Sequence, residues 1–516
     1  MSALAATLPT ISSPSIDYGA LLPILIVIGA ACLGVLVEAL APREARYGIQ
    51  VALTLAALIA ALVAVVAKHQ VRVVTAGGAV SIDGVTLLLQ GGILCLAILS
   101  VLLISERSIE GGSAVVASAA VVAGSARDRA QAASTRIQTE IFPLTLFSVS
   151  GMLIFPAANN LLLMFVALEV LSLPLYLMCA LARRRRILSQ EAALKYFLLG
   201  AFASAFFLYG AALLYGYANT VSLPGILQAA SSGGRSDVLL YLGFGLVIIG
   251  LLFKAGIAPF HSWTPDVYQG APTPVTAFMA SCTKVAAFGA ITRVLYTGFI
   301  TSRWDWRPIM WGVAIASMAV GAVLGLTQTD LKRLLAYSSI AHAGFILVGL
   351  IAMTKDGAAS TMFYLLTYGF TTIAAFGLVT LVRTGDGEAT ALSQWAGMAR
   401  KSPLIAAAMT LLLLAMAGIP LTSGFTAKFY SFSAAYHTSG PLVVAALLFS
   451  AIAAFFYLRV IVVMFFAEPP AEGPDIAIPS VFTTVAITLC ALVTIGLGVA
   501  PQPVIDLAQN AVSFVV

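Results

Sequence analysis

The stretch Phe253-Lys254-Ala255-Gly256-Ile257-Ala258-Pro259-Phe260-His261-Ser262-Trp263-Thr264-Pro265-Asp266-Val267-Tyr268-Gln269-Gly270-Ala271-Pro272 ends one apolar segment, 238–253, with a lysine. It breaks the helix with Gly256 and Pro259, places His261 and Asp266, and leads into a second apolar helix that carries Lys284. In hydrocarbon, a non-helical backbone is tolerated only where protein or trapped water satisfies it, and an intramembrane lysine is costly. A sequence that puts both at one point reads as a device for moving charge.

The surrounding composition supplies the hydrocarbon. Hydrophobic residues make up 60% of the 516 and charged residues only 9%, which excludes an ordinary soluble domain. Apolar runs of about 20 residues, enough to cross ~30 Å of lipid, recur along nearly the whole chain. The fold class is therefore an all-α polytopic membrane protein. Cys32, Cys95, Cys179, Cys282 and Cys490 are scattered singly, so neither a disulfide framework nor a Cys-x-x-Cys metal or iron–sulfur site can be drawn. There is no Gly-x-x-x-x-Gly-Lys loop and no Gly-x-Gly-x-x-Gly turn after a strand, hence no nucleotide site. The net charge of +6 does not call for nucleic acid, because its meaning lies in where the positive residues fall.

Working outward, about fourteen spans are expected. The first three cover 18–40, 47–67 and 85–105, with a short hairpin suggested by alternation over 71–85 around Ala76-Gly77-Gly78. Residues 106–140, rich in Ala, Ser and Gly and carrying Arg107, Arg127, Arg129 and Arg136, read as an extramembrane insertion whose Ala/Val centre resembles a short helix. Spans 4 to 8 follow at 141–157, 160–181, 192–218, 238–253 and 274–300, and spans 9 to 11 at 309–326, 334–353 and 358–382. Span 12, at 404–437, is broken over Ala417-Gly418-Ile419-Pro420-Leu421-Thr422-Ser423-Gly424, and spans 13 and 14 fill 441–467 and 480–499. With the N-terminus outside, inner loops hold fifteen Lys and Arg residues and outer loops six, so both termini are expected outside. The run Arg183-Arg184-Arg185-Arg186 reads as a stop-transfer anchor.

Ala255-Gly256-Ile257-Ala258-Pro259 in span 7 is echoed by Ala417-Gly418-Ile419-Pro420 in span 12. Five spans separate them, and an odd offset inverts orientation. The chain thus divides into 1–140 (three spans and the insertion), 141–300 (spans 4 to 8), 301–467 (spans 9 to 13, an inverted five-helix repeat of the former) and 468–516. Interrupted helices in matching positions of inverted repeats point to a transport site near the bilayer midplane.

The charges inside the spans converge on the same place. Glu169 is the only carboxylate deep in a span, and Lys254, Lys284 and Lys428 are deep as well. Burial disfavours the charged form of such groups and a nearby opposite charge restores it, so each can be switched by its neighbour. A proton relay needs that property, whereas a single buried Glu–Lys pair can also be a helix–helix clasp. His261, within the break, is open as relay member or as partner for freed backbone, and His342 in span 10 is similar. Lys195, Arg293 and Arg459 are placed to snorkel to the surface.

These residues carry a resemblance. Residues 258–275, Ala167-Leu168-Glu169-Val170-Leu171-Ser172-Leu173-Pro174-Leu175-Tyr176, Glu191-Ala192-Ala193-Leu194-Lys195-Tyr196-Phe197, and Asp330-Leu331-Lys332-Arg333-Leu334-Leu335-Ala336-Tyr337-Ser338-Ser339-Ile340-Ala341-His342-Ala343-Gly344 look like the signature of the subunit N family of proton-pumping NADH:quinone oxidoreductase, respiratory complex I. The match spreads over 141–467. It implies an antiporter-like subunit of a bacterial plasma membrane, packed against other membrane subunits, including neighbouring antiporter-like ones. By the resemblance, Glu169 tunes Lys254, Lys284 links two half-channels and Lys428 faces the outer exit. Lys195, His261 and His342 support them, while FMN, iron–sulfur clusters and quinone belong to other subunits and no redox site lies in this chain. The 106–140 insertion departs from the short loop usual in the family. A subunit of a multisubunit cation/proton antiporter shares the implied fold and is the alternative. A self-contained solute transporter would want a more varied polar pocket.

Overall fold

The computed structural model describes residues 15–109, 114–116, 121–122, 124–133, 137–232, 237–385, 387–471 and 473–515. Arg136 and Arg235, both counted in the charge asymmetry, lie outside them. Twelve described helices are long and apolar enough to cross a membrane, and two shorter apolar ones, Ile141–Ala157 and Pro403–Ala417, accompany them. The 44-residue helix Ser423–Phe466 is two segments joined at Ser439, whose φ of −149° departs from helix just before Pro441. Pairing its first part with Pro403–Ala417 gives the expected fourteen passes. Large apolar side chains such as Leu40, Leu404 and Phe466 stand exposed on the outside, the arrangement a hydrocarbon solvent stabilises. The centre is formed by Thr273–Gly298, Leu331–Ile351 and Lys355–Leu381 (spans 8, 10 and 11), which are buried almost throughout.

Both expected breaks are present. Span 7 is Asp237–Ala255, followed by Gly256 at φ +68° and a separate short helix, Trp263–Gly270. Span 12 stops at Ala417, turns through Gly418 at φ +87° and Leu421 at φ +69°, and resumes at Ser423. Positive φ is nearly free for glycine and costly for a residue with a Cβ, so Gly256 and Gly418 fix where the two helices end. The backbone closes alike at both: Ile257 N donates to Leu252 O and Ile419 N to Leu414 O, each five residues back.

The repeat extends beyond the breaks, at a separation of 169 or 170 positions. Asn160 caps span 5 (Leu161–Cys179) and Asp330 caps span 10 (Leu331–Ile351) through their side-chain oxygens. Leu161 N donates to Val221 O and Leu331 N to Thr390 O, each tying the cap to the loop that follows the next span. A Cβ on Gly151 would lie 2.4 Å from Leu171 N, and one on Gly321 would lie 2.4 Å from Ala341 N. Each glycine lets span 4 or span 9 (Arg303–Thr327) press against the backbone of the span after it.

Of four further regions, one agrees with expectation and three differ. Residues 71–85 do form a hairpin, Val73–Thr75 with Val80–Ile82. The described part of the insertion holds a helix at Ala126–Ala133, beyond the Ala/Val-rich centre, of which residues 117–120 and 123 lie outside the described residues and Val115 bridges Ala182. Its base is fixed by Glu106, which accepts from Ser108 and from Ser480 at the start of span 14. Burial would raise that carboxyl, but the hydrogen bonds outweigh burial and hold it at about 2. The arginine run is more than an anchor: Arg183 and Arg186 are buried, Arg186 pairs with Asp128 at 3.3 Å, and Arg185 donates to Thr390 and to Glu388 O. Finally, Arg293 does not snorkel. It is fully buried against Asp83 at 2.7 and 2.9 Å and also donates to Thr86, because the C-terminal residues after helix Gln502–Ala511 cover it.

Candidate functional site: a line of buried amines

Lys254 occupies the last turn of span 7, where the break puts a helix end inside the bundle. It donates to Ser172 Oγ at 2.8 Å and to Tyr196 OH at 2.9 Å. Tyr196 is held flat against Trp263 of the short helix, centroids 4.7 Å apart, and Trp263 Nε1 donates to Phe253 O at 2.9 Å. The freed carbonyl at the broken end is thereby satisfied without the lysine. Glu169 lies one turn before Ser172 on span 5 and within electrostatic reach of Lys254, yet the two form no ion pair within 4.0 Å among the described residues. One Glu169 oxygen is enclosed without a hydrogen-bond partner.

Lys284 lies in span 8 just after a π-helical stretch, Met279–Thr283. The wider turn marks a local departure from the i→i−4 ladder of a kind often found at functional positions. Its amine donates to both Ser339 O and Ser339 Oγ at 2.6 Å and lies 5.4 Å from the Tyr368 ring centre. Three residues on, His342 meets Tyr364 OH at 2.9 Å through Nδ1 and Tyr457 OH at 3.2 Å through Nε2. Tyr457 in turn bonds Ser338. His342 is within electrostatic reach of both Lys284 and Lys428.

Lys428, on the second half of span 12, reaches back across the break. It donates to Met416 O at 3.0 Å, Ala417 O at 2.9 Å and Ser450 Oγ at 2.9 Å. A cation there meets the negative end of a half-helix dipole and two carbonyls at its broken end. All three lysines are buried, and none has a carboxylate within 4.0 Å among the described residues.

The structure therefore groups Lys284, His342 and Lys428, with Lys254 on the Glu169 side. It does not bring the other two supporting candidates into hydrogen-bonding contact with those amines. Lys195 is bound to Glu191 and Asp266 at 2.6 Å, and Asp266 is also bound to Arg333 at 2.6 Å, in a partly exposed ionic cluster. The His261 ring is half-buried with Nδ1 unpartnered and makes no hydrogen bond to a lysine. Sequence reading missed Tyr364, Tyr457, Tyr196, Ser172 and Ser339. The signals available were their depth within spans that also carry a lysine or histidine and, for Ser172, Tyr196 and Ser339, their place inside the stretches that carry the resemblance. Among the described residues, no group of three or more His, Cys, Asp or Glu side chains is arranged as metal ligands would be.

The family model for NADH:quinone oxidoreductase/Mrp antiporter membrane proteins matches residues 158–455, more than half the chain and including every residue of the lysine line. A relative from Parafrankia sp., NADH-quinone oxidoreductase subunit N, is 62% identical over 503 residues, covering 97% of this chain and 96% of its own. The chain belongs to the subunit N family of NADH-quinone oxidoreductase. The Saccharopolyspora erythraea member is 60% identical, with 96% of this chain and 98% of the relative covered. A chain of Thermus thermophilus respiratory complex I superposes with a TM-score of 0.75 at 33% identity, over 94% of this chain and 99% of that one. A chain of the Mrp complex from Dietzia sp. reaches a TM-score of 0.80 over 96% and 97%, but at 21% identity it speaks for the fold alone. Family membership also makes this a multi-pass membrane subunit of the antiporter-like type.

Proposed function

We propose that this chain is the proton-carrying membrane subunit N of a respiratory complex I and that protons move along Lys254, Lys284, His342 and Lys428. The observation that carries the reading is the lysine environment: three buried amines, each facing hydroxyls or carbonyls and none, among the described residues, neutralised by a carboxylate in contact. A clasp would pair each charge directly, since an unpaired buried charge is expensive. An amine held by Ser172 and Tyr196, or by Ser339, can bind or release a proton while its acceptors stay in place. Glu169, near Lys254 but not in contact, is suited to bias that step from a distance and tunes it in this reading. Hydroxyls of Tyr364, Tyr457 and Ser338 extend the line between Lys284 and Lys428. Lys195 and His261 have lesser, supporting roles at most.

In this reading the chain sits among the other membrane subunits of the complex, in a bacterial plasma membrane, with both termini outside. Electron transfer through FMN, iron–sulfur clusters and quinone takes place in other subunits and drives the lysines' protonation states indirectly. Cysteines introduced in 106–140 and near Ser2 should label from opposite faces of the membrane. Same-side labelling would refute the orientation.

The decisive test is Lys254→Met, which removes the titratable amine at similar length. Proton uptake into inverted membrane vesicles per NADH oxidised should collapse while flavin content, and hence assembly, persists. Uptake and oxidation both at the unmodified level would make Lys254 a structural clasp and end this reading.

A further inference from the structure

A cavity of about 1540 Å³ lies away from the lysine line, between the start of span 2 (Arg43–Ala67), described residues of the 106–140 insertion and span 14. It exceeds the ~300–1,000 Å³ usual for a small-molecule site. Its two ends differ in chemistry. At one end stand five arginines, Arg43, Arg46, Arg107, Arg127 and Arg183, against Glu44 and Glu140. Arg46 is already engaged by Glu38 at 3.7 Å and Arg107 lies over the Tyr47 ring, whereas Arg43 and Arg127 form no ion pair among the described residues. From there the wall continues down one face of span 2 as Gly48, Val51, Ala52 and Leu55, spaced i, i+3, i+4, i+7. At 1.5 Å per residue, Arg43 to Leu55 covers ~18 Å, about half the ~30 Å hydrocarbon thickness.

We propose that this cavity binds one anionic membrane phospholipid, its phosphate among the arginines and its acyl chains along Gly48–Leu55. A soluble anion would use the charged end and leave the apolar face wet. A purely apolar ligand would leave Arg43 and Arg127 without an anionic partner. A lipid of a single leaflet satisfies both ends over the depth observed. The insertion then acquires a function: through Arg127 it supplies a wall of the headgroup site, closing a groove that spans 2 and 14 alone would leave open. Basic pockets between spans on the positively charged side of a membrane are recognised by anionic headgroups, at ~1 kcal/mol for each Lys or Arg near the surface.

The test uses the whole complex in nanodiscs of phosphatidylcholine with or without phosphatidylglycerol, with a photo-crosslinking amino acid in place of Leu55. The expected result is an adduct with phosphatidylglycerol in preference to phosphatidylcholine. Arg43→Gln with Arg127→Gln should lower its yield by roughly 20- to 30-fold, which is the ~1 kcal/mol per arginine converted. Ala52→Trp should also abolish it while leaving every arginine in place, and this variant carries the test if the double variant fails to assemble. Equal labelling by the two lipids, displacement by inorganic phosphate with the apolar end unaffected, or a cross-link to another polypeptide would each overturn the assignment.

Discussion

The two five-span repeats share a backbone plan and differ in where they put the charge. In the first, the lysine precedes the break: Lys254 lies two residues before Gly256, and Trp263 rather than the lysine satisfies Phe253 O. In the second, the lysine follows the break: Lys428 reaches back past Gly418 to cap Met416 O and Ala417 O itself. Position 169, a carboxylate in the first repeat, corresponds to Ser339 in the second, 170 residues on, and Ser339 holds Lys284. Likewise Ser172, the acceptor for Lys254, corresponds to His342. The same scaffold thus leaves one lysine free of structural duty and gives the other two duties.

That difference can be broken most sharply by removing the caps. Lys428→Met should abolish pumping and also destabilise the second repeat, because Ala417 O loses this donor, at roughly 1–3 kcal/mol, and Met416 O loses one of its partners. Trp263→Phe should cost less stability, because Phe253 O keeps Gly256 N as a donor, and should spare much of the pumping. Thermal unfolding of the purified complex, monitored beside proton uptake, separates the two effects. If Lys428→Met left stability untouched, the capping duty would be wrong and the two repeats would be functionally alike.

The shared scaffold has its own test. Gly151→Ala and Gly321→Ala place a methyl 2.4 Å from a backbone nitrogen of the next span, so both should force neighbouring spans apart at ~1–3 kcal/mol or more. Reduced levels of assembled complex are expected, to a similar degree for each. Tolerance of one and not the other would show that the repeats pack less alike than their hydrogen bonds indicate.

Much of this plan was legible because it is written in strong local signals. Length and hydropathy mark a pass whatever its neighbours are, and Gly256, Pro259, Gly418 and Pro420 announce the breaks in the sequence itself. The rarity of charge inside the spans singled out Glu169, Lys254, Lys284 and Lys428. The hydroxyl partners were not legible, since serine and tyrosine are common in membrane helices and only packing decides which face inward. Arg293 illustrates the same limit: near a helix end it reads as a snorkelling side chain, and only the hairpin before span 3 and the C-terminal segment enclose it with Asp83. The cavity at the insertion needed three segments far apart in sequence.

A smaller effect is expected along the line between Lys284 and Lys428. Tyr457→Phe removes the hydroxyl that meets both His342 and Ser338 and keeps the ring. A net hydrogen bond is worth ~0.5–1.5 kcal/mol, so proton transfer should slow by up to about tenfold without loss of assembly. An unchanged rate would remove Tyr457 from the path and leave His342 to act through Tyr364 alone.

The mildest substitution addresses the one charge that the second repeat lacks. Glu169 makes no ion pair with Lys254 within 4.0 Å, so in the proposed reading it acts across a gap, through charge and distance rather than through a shaped contact. Glu169→Gln removes the charge and should depress pumping strongly, although less than Lys254→Met, because the amine remains. Glu169→Asp keeps the charge and withdraws it by one methylene. At an effective dielectric near 20, a unit pair changes by only ~1 kcal/mol when its separation grows from ~4 to ~5 Å, and by less at longer range. Pumping should therefore fall no more than a few-fold, measured as proton uptake per NADH oxidised. If Asp were as damaging as Gln, Glu169 would be acting through a specific hydrogen bond that forms in another state of the lysine. The asymmetry between the repeats would then lie in geometry rather than in charge.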